Sequence, residues 1–471
     1  MLFQLQKELL HKSNFRAPNS LANTISRDTD KYAKLKKEFH KLSSTAKERL
    51  SPQLKIFILL TAVEQEDYGF LHKLFTSINY EQLESTGSHL ALGRYYALVG
   101  NCYRKVIDYF LPHLEEDCLQ IKDIGNLFSA LMEMARHQDC DRLLSHVLQK
   151  YPDDLGWKIQ ALNYQIGISH LYPKNKEFIT NNLKYLHSRC EHEKQFFAMG
   201  NCFFTAGYAN ESNAMFDLAL KTVKPVLAKK ESTAQFSPVK CRETMDIMID
   251  ILEAEDIKVF PIAGSLLGLY RDGKFMDHDK DADVGIFVDG YDEVLRLVAK
   301  VCEQKRFFAP SMIKNTKESN AWNVAVYDEE NRTVVDFFFF YRQVEHCEFG
   351  VYSPCGILKW AFTPFELVRE ELAGRDYWLP SDIEQHLVDM YGEDWREPVK
   401  VWDSLIACPN LLPSSKPVVF YYSLIRLYKA LESNKLEKAL HYYELLTTRW
   451  EMHFSDETDT HIKQLISENI Q

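Results

Sequence analysis

The sequence predicts an α+β protein in which an α-helical repeat region precedes a mixed-sheet α/β domain and further helices close the chain. Helical periodicity with few strand signals extends from about residue 85 to 227. Short β-branched and aromatic segments then alternate with helical ones, and an amphipathic helical pattern returns over residues 421–450. We therefore expect three regions, at residues 1–235, 236–413 and 414–471.

Bulk composition places the chain among globular proteins and excludes some functions. Its 471 residues are too many for one ordinary core, so more than one domain is expected. Hydrophobic residues make up 46% of the chain and charged residues 26%, which is a globular composition. The formal net charge of −11 argues against a general nucleic-acid-binding protein, whose binding face is basic.

The N-terminal segment and the cysteines predict a cytoplasmic protein. The N-terminal residues carry scattered charges and no long apolar core, so they do not resemble a signal peptide. The most apolar early run, residues 56–63, is far shorter than the ~20 residues that cross a bilayer. The ten cysteines are irregularly spaced with no CxxC pair, which favours free buried thiols over disulfides or a zinc site.

A weak internal repeat runs through the helical region. Segments that begin at Val99, Ala135, Leu171 and Ala206 can be aligned, at intervals close to the ~34 residues of a tetratricopeptide repeat. The aromatic and small residues of that repeat are only patchily present, so we call the region tetratricopeptide-like. Stacked helical hairpins often bind a protein on their concave face. A protein partner is therefore one expectation, and a spacer or a dimerisation surface is the other.

Strands and helices alternate in the second half, as in an α/β sheet domain. Strand patterns occur at 258–263, 282–288, 321–327 and 333–341, and helix patterns occur at 239–255 and 291–305. The polar segment 328–332 predicts that the last two strands form a hairpin. These elements predict a mixed sheet covered by helices.

Acidic residues fall on two of the predicted strands. Asp281 and Asp283 flank Ala282, so the two-residue period of a strand sends both carboxylates to one face. Asp336 lies in the segment TVVDFFFF, where we expect burial, and a buried carboxylate is costly unless it is paired or bound to a metal. Because Mg²⁺ prefers hard oxygen ligands, Asp281, Asp283 and Asp336 are the predicted metal ligands. The alternatives are a solvated acidic loop for the first two and a structural ion pair for Asp336.

A glycine and a serine lie at the turn before the acidic segment. Gly264 lets the backbone approach a ligand closely, and the Ser265 hydroxyl with the helix N-terminal amides can hold a phosphate. Arg271 and Lys274 are the nearest cations, and Arg271 can bind phosphate through two parallel hydrogen bonds. These four are the predicted substrate-binding residues. The alternatives are a salt bridge to the acidic loop for Arg271 and simple solvation for Lys274.

Three separated segments resemble the LicD/fukutin family and agree with it in order. Residues 263–287, AGSLLGLYRDGKFMDHDKDADVGIF, match its Gly-Ser-Leu-Leu-Gly turn, its arginine and its acidic cluster running into a strand. Asp336 in VVDFFFFY matches the family's later aspartate, and residues 378–403 resemble its closing segment with a Tyr-Gly, a Trp and a Pro. The likeness is nearest to the fukutin and fukutin-related members and covers residues 239–409.

The resemblance implies a nucleotidyltransferase-like fold and a CDP-alcohol-dependent phosphotransferase. Such enzymes move ribitol phosphate, glycerol phosphate or phosphocholine from a CDP-linked donor to a glycan hydroxyl, with Mg²⁺ or Mn²⁺ as cofactor. The resemblance places metal ligation on Asp281, Asp283 and Asp336 and makes Asp279 a further carboxylate of the site, acting either directly in catalysis or in support of the metal ligands. Arg271, as the phosphate-binding cation, completes the predicted catalytic residues. Many relatives have consecutive aspartates where this chain has Asp279 and Asp281 separated by a lysine.

The helical first half has no counterpart in the membrane-anchored members of the family. This difference points to an enzyme of bacterial capsular polysaccharide synthesis, located in the cytoplasm or at the inner face of the membrane. The implied partners are the CDP-linked alcohol, a glycan acceptor and a protein bound by the repeats; no nucleic acid and no transmembrane segment are expected. Two alternatives stay open, namely a true nucleotidyltransferase that releases pyrophosphate and a non-catalytic scaffold, against which the acidic residues argue.

Overall fold

The computed structural model describes residues 22, 25–83, 85–168, 176–226, 237–276, 279, 281–309, 322–399 and 401–467. These residues form two compact units, of which the first extends to Leu143 and includes Ser237, and the second holds the rest of the chain from Leu144 onward. The second unit therefore contains later helices of the predicted repeat region together with the sheet domain and the C-terminal helices. The division into three domains at 235 and 413 stays a prediction.

The first unit is helical. Its helices are α1 (Thr29–His40), α2 (Ser44–Glu48), α3 (Pro52–Glu64), α4 (Tyr68–Ser77), α5 (Thr86–Val99), α6 (Tyr103–Phe110) and α7 (Ile121–Glu133), and α8 (His137–Lys150) crosses into the second unit. The Ser51 hydroxyl caps α3 by accepting a hydrogen bond from the Leu54 amide, and Pro52 occupies the first turn. The apolar run at 56–63 lies in α3 and is buried throughout. Among the described residues, we find no helix with the length and apolarity needed to span a bilayer.

The second unit continues the series of helices. They are α9 (Leu155–Gly167), α10 (Lys176–His187), α11 (Glu193–Thr205) and α12 (Ala209–Thr222), with α11 packed along α12. Three of the predicted repeat starts lie at the end of a helix or in the turn after it, namely Val99, Ala135 and Ala206. The fourth, Leu171, lies outside the described residues. The helical character of the region is confirmed, and its assignment to tetratricopeptide repeats stays a prediction.

The sheet domain confirms the predicted α+β class. It begins with α13 (Pro238–Glu253), β1 (Val259–Pro261), α14 (Ala263–Leu267), β2 (Ala282–Phe287), α15 (Tyr291–Val301), β3 (Phe307–Phe308), β4 (Asn323–Asp328) and β5 (Thr333–Arg342). The strand order is β1-β2-β5-β4-β3, in which β2 and β5 are parallel and the other neighbours are antiparallel. The predicted hairpin is the antiparallel pair β4–β5; residue 321, where its first strand was expected to begin, lies outside the described residues.

The two-residue strand β3 and four later strands were not predicted. The later four are β6 (Cys347–Ser353), β7 (Gly356–Phe362), β8 (Leu367–Leu372) and β9 (Arg375–Pro380), of which β6 joins the sheet beside β5 and pairs with β7, and β8 pairs with β9. The sequence of β8, LVREEL, is rich in charge and mostly exposed, so it lacks the apolar alternation that marks a half-buried strand.

The C-terminal helices pack on the earlier helices of the same unit. They are α16 (Ile383–Tyr391), α17 (Ser404–Ala407), α18 (Lys416–Glu432), α19 (Leu436–Glu444) and α20 (Asp456–Ser467), and α18 and α19 form a helical hairpin within the amphipathic segment at 421–450. Tyr421 on α18 stacks on Phe204 of α11 with ring centroids 3.5 Å apart, and its hydroxyl donates to Asn201 Oδ1 over 2.8 Å. One hydrophobic cluster runs from Phe216 on α12 to Phe340 on β5. The helices and the sheet of this unit therefore share a core.

Candidate active site

Two of the predicted metal ligands lie side by side on neighbouring parallel strands. In the register of β2 and β5, Asp283 is directly opposite Asp336. Val335 and Phe337, which flank Asp336, are buried, whereas Asp336 itself is only partly buried. Because side chains alternate between the two faces of a sheet, both carboxylates lie on the face away from that core. Asp336 thus lies among buried strand residues, as expected, and its own side chain is partly exposed although Phe338 and Phe340 follow it on the same face of the strand.

The acidic side chains lie close enough to raise one another's pKa. Desolvation is the largest cause that raises the pKa of Asp283 well above its ordinary value, and the charges of Asp281, Asp336 and Asp279 raise it further. Desolvation, followed by the charge of Asp281, raises the pKa of Asp336 to about 7. Neither Asp283 nor Asp336 has an ion-pair partner within the described part of the chain. The structure thus brings together the four carboxylates that the sequence predicted.

The turn before α14 holds Asp283 through its backbone. The Ile262 amide donates to the Asp283 carbonyl oxygen over 3.1 Å, and the Asp283 amide donates to Ser265 Oγ over 2.8 Å. The Gly264 amide donates to the Asp283 carboxylate. Ala263 makes this turn with a φ of +47°, a left-handed conformation that costs on the order of 1–3 kcal/mol in a residue other than glycine. These bonds fix the Asp283 side chain relative to α14.

Ser265 and Gly264 contact the acidic cluster directly. Ser265 is 2% exposed, and its hydroxyl oxygen is engaged by the β2 backbone. The structure therefore makes Ser265 a positioning residue for Asp283, and its contact with a phosphate stays a prediction. A side chain at Gly264 would begin 3.2 Å from Asp279 Oδ2, so the missing side chain lets the Asp279 carboxylate approach the turn.

Gly268 has a structural role that the sequence did not indicate. It begins a wide helical turn, Gly268–Asp272, directly after α14. A Cβ atom at this position would lie 2.8 Å from the Lys274 carbonyl oxygen and 3.3 Å from the Met276 amide nitrogen. Only glycine leaves room for this backbone crossing, which leads the chain from the turn toward Asp279.

The two predicted cations differ in their surroundings. Arg271 is 16% exposed and binds its neighbour Asp272 through two hydrogen bonds of 3.0 and 2.9 Å. The hydrogen bond to Asp272 is the largest cause that raises the pKa of Arg271, with a smaller contribution from the charge of Asp279. Arg271 therefore lies at the border of the acidic cluster, in an ion pair that a phosphate would have to replace. Lys274 is exposed and follows Gly273, whose φ is +68°.

Tyr391 lies near the acidic cluster, and sequence reasoning missed this proximity. Helix α16 ends at Tyr391, and Gly392 follows with a φ of +90° and donates its amide to the Val388 carbonyl oxygen. Burial is the largest cause that raises the pKa of the Tyr391 hydroxyl, and the charges of Asp283 and Asp279 add to it. No local pattern in the sequence could reveal that Tyr391 lies near the acidic residues. The proximity depends on the packing of α14 against α16, two helices that are far apart along the chain.

The donor atoms of the cluster suit a hard divalent cation. They are carboxylate oxygens, the ligands that Mg²⁺ and Mn²⁺ prefer, and the raised pKa values of Asp283 and Asp336 reflect burial together with the negative charge of their carboxylate neighbours. The described carboxylates do not form a group of three ligand atoms all within 4.8 Å of one another.

Comparison with known proteins matches this part of the chain to one family. Residues 256–381 match the LicD/FKTN/FKRP nucleotidyltransferase domain, which confirms the resemblance found in the sequence. Similar proteins include the "Ribitol-5-phosphate transferase FKTN" of Mus musculus, 24% identical over 192 residues that make up 40% of each chain. The protein of the same name from Homo sapiens is 25% identical over 223 residues, 46% of this chain and 45% of the relative. The match thus spans less than half the length of these relatives.

Proposed function

We propose that this protein, which carries a LicD/FKTN/FKRP-type nucleotidyltransferase domain at residues 256–381, transfers a phospho-alcohol from a CDP-linked donor to a hydroxyl group of a glycan. The observation that carries the proposal is the pairing of Asp283 with Asp336 across two parallel strands, beside a turn whose backbone fixes Asp283. The similarity to the ribitol-5-phosphate transferases of Mus musculus and Homo sapiens supports the reaction class. We propose ribitol phosphate or glycerol phosphate as the group that is transferred.

Asp281, Asp283 and Asp336 would hold the divalent cation, Mg²⁺ or Mn²⁺. Such a cation supplies positive charge that neutralises the pyrophosphate oxygens of the donor. The backbone bonds from Ile262, Gly264 and Ser265 keep Asp283 in place for this task. Because these bonds exist before a ligand arrives, the site needs little rearrangement when the donor binds.

The residues of the chain serve the transfer by positioning and by taking up a proton. The acceptor oxygen attacks the phosphorus that bears the alcohol, the bond from that phosphorus to the CMP oxygen breaks, and CMP leaves with the electron pair. Asp279 and Asp336 are the two candidates for the base that takes the hydroxyl proton. Asp279 is the carboxylate that lies against Gly264, and Asp336 lies directly opposite Asp283 on the neighbouring strand.

Arg271 is the proposed phosphate contact at the border of the site. Its guanidinium already makes a two-pronged contact with the Asp272 carboxylate, the geometry with which arginine binds phosphate oxygens. A donor phosphate would take the place of Asp272, and Lys274 on the next exposed turn would add a second positive charge. We also propose that the helical repeats bind a protein partner. The proposed setting is bacterial surface-polysaccharide synthesis in the cytoplasm.

A donor screen tests the reaction. Purified protein is incubated with Mg²⁺ and CDP-ribitol, CDP-glycerol or CDP-choline, each with candidate glycans, and CMP release is measured. We expect release from one alcohol donor that depends on the acceptor and is lost in Asp283→Asn. The matched control is Asp289→Asn, an exposed aspartate just after β2, which should keep full activity.

The products separate the proposal from its alternatives. Pyrophosphate release from a nucleoside triphosphate, without CMP release from any CDP-alcohol, would identify a true nucleotidyltransferase. Release of CMP from CDP-choline alone would keep the reaction class and change the alcohol. A protein that binds a partner through its repeats and turns over none of these donors would be a scaffold, and the proposed reaction would be wrong.

A further inference from the structure

Four side chains with metal-binding chemistry meet in the first unit, far along the chain from the acidic cluster. They are His89 on α5, His113 in the short helical turn after α6, and Glu116 and Cys118 just beyond that turn. Ligand atoms of His113, Glu116 and Cys118 all lie within 4.8 Å of one another, and among the described residues this is the one group of three that does so. The proposed transfer reaction uses none of them.

The local fold brings three of these side chains to one point. The turn Leu111–His113 ends α6, and the Glu116 amide donates to the His113 carbonyl oxygen over 3.2 Å. Asp117 then adopts a φ of +52°, which turns the chain sharply before Cys118. His113 and Cys118 are buried at 7% and 8% exposure, whereas the Glu116 side chain is half exposed. The three ligands are thus buried at His113 and Cys118 and exposed to solvent at Glu116.

The hydrogen bonds around His113 direct one ring nitrogen toward the other two ligands. His113 Nε2 lies 3.0 Å from His89 Nδ1, and His113 Nδ1 lies 2.9 Å from Glu116 Oε2. When His113 Nε2–H donates to His89, the lone pair of His113 Nδ1 points to the side of Glu116 and Cys118. Metal-bound histidines characteristically use their second ring nitrogen in such a bond, which fixes the tautomer and the ring orientation.

We propose that His113, Glu116 and Cys118 form a zinc site, with His89 as the residue that orients the His113 ring. In a tetrahedral zinc site with Zn–N and Zn–O near 2.1 Å and Zn–S near 2.3 Å, the ligand atoms lie about 3.3–3.8 Å apart. The observed separations of 2.9 Å for His113 Nδ1 to Glu116 Oε2 and 4.0 Å for Cys118 Sγ to Glu116 Oε2 lie on either side of that range. Small side-chain rotations would therefore complete the geometry.

The chemistry of the ligands selects zinc over the cation of the acidic cluster. A thiolate and an imidazole are softer ligands than carboxylates and favour zinc over Mg²⁺. Binding displaces the Cys118 thiol proton to solvent and leaves a Zn–S bond. Three protein ligands leave the fourth position to water, which the solvent-exposed side at Glu116 can supply. In this arrangement the Cys118 thiol donates to the His113 carbonyl oxygen over 3.7 Å, a bond that the thiolate would give up on binding zinc.

Cobalt substitution in the full-length protein tests the site. Co²⁺ bound to a thiolate gives a near-ultraviolet sulfur-to-cobalt charge-transfer band, which carboxylate sites such as the acidic cluster cannot produce. We expect one equivalent of Co²⁺ to produce this band and Zn²⁺ to abolish it by displacement. Cys118→Ser should lose the band, and Cys140→Ser, which changes another buried cysteine of the first unit, should keep it.

A second pair of variants keeps the test decisive if Cys118→Ser fails to fold. Glu116→Gln changes an exposed residue and should weaken Zn²⁺ binding at least tenfold, whereas Glu115→Gln, whose native partner is Arg142 at 2.7 Å, should bind zinc like the parent. His89→Ala should weaken binding by about 10–100-fold, as expected for a residue that orients a ligand. Absence of the charge-transfer band, or equal affinity in the Glu116 and Glu115 variants, would overturn the proposal.

Discussion

The hairpin β4–β5 contains two aspartates whose neighbouring groups carry charge of opposite sign. Asp328, at the turn end of the hairpin, is fully buried and accepts hydrogen bonds from Arg306 Nε over 3.1 Å, the Thr244 hydroxyl over 2.7 Å and the Glu330 amide over 2.9 Å. Asp336, on the second strand of the same hairpin, has other carboxylates as its neighbours and a pKa raised to about 7. One hairpin thus contains a neutralised acid and an uncompensated one.

The difference shows how a structural carboxylate can be told from a functional one. Burying a charge is costly unless a partner of opposite charge and hydrogen-bond donors accompany it, and Asp328 has both. Asp336 and its opposite neighbour Asp283 concentrate negative charge instead, which lowers stability unless a cation from outside the chain binds there. Four predictions follow from this contrast between charges satisfied within the chain and charges left for a ligand.

The largest expected effect is on activity in Asp336→Asn. Removing a carboxylate that would hold the cation should lower CMP release on the order of 10²–10³-fold. The free energy of unfolding in metal-free buffer near neutral pH should rise, because one member of a mutually repelling group has gone. Urea unfolding and the donor assay measure the two quantities. A variant that is both inactive and strongly destabilised would show that Asp336 is structural after all.

Asp328→Asn should have the reverse pattern. Loss of the carboxylate leaves the Arg306 guanidinium, itself 18% exposed, without its main partner, and breaking a buried pair costs about 3 kcal/mol of unfolding free energy. Activity per folded molecule should stay close to that of the parent, which is measured in the donor assay well below the unfolding transition. Unchanged stability would mean that the pairing at this end of the hairpin contributes nothing.

A smaller effect is expected for Gly268→Ala, which tests the turn that leads toward Asp279. The new methyl group would collide with the Lys274 carbonyl oxygen, so the backbone must shift, at a cost of about 1–3 kcal/mol, and activity should fall about tenfold or more. Gly290→Ala is the matched control, because its Cβ would meet nothing within 4 Å. Equal activity of the two variants would show that the crossing at Gly268 does not shape the site.

The last expected effect is a gradual dependence of stability on pH. Since the folded protein binds a proton at Asp336 up to about pH 7 and the unfolded chain only to about pH 4, the folded state holds more protons across this window. The unfolding free energy of the metal-free protein should therefore fall as pH rises from about 4 to 7, by less than about 1.4 kcal/mol per pH unit for this group. Asp336→Asn should remove this part of the slope.

Saturating Mg²⁺ gives an independent check on that slope. If a cation is held by the same carboxylates, it stabilises their ionised form, so the fall in stability between pH 4 and 7 should diminish when Mg²⁺ is present. Chemical unfolding at several pH values, with Mg²⁺ and with a chelator, measures the difference. Identical curves under the two conditions would mean that Mg²⁺ does not bind at Asp336.

Local patterns in the sequence determined much of the fold. The β-branched and aromatic segments at β1, β2, β4 and β5 alternate with polar turns, and the hairpins β4–β5 and α18–α19 have turns of a few residues. Such elements depend on contacts between near neighbours, so the chain order suffices to predict them. The charged strand β8 was missed because exposure on both faces leaves no periodic signal.

The acidic motif was visible in the sequence, but its geometry was decided by the tertiary structure. That Asp279, Asp281 and Asp283 lie close together follows from their spacing. That Asp283 faces Asp336 depends on the parallel pairing of β2 with β5, which no local pattern specifies. The placement of Tyr391 beside the cluster and of His89 against His113 likewise joins residues on separate helices and turns. Long-range pairings of this kind are selected by which faces can be buried together, a property of the whole core.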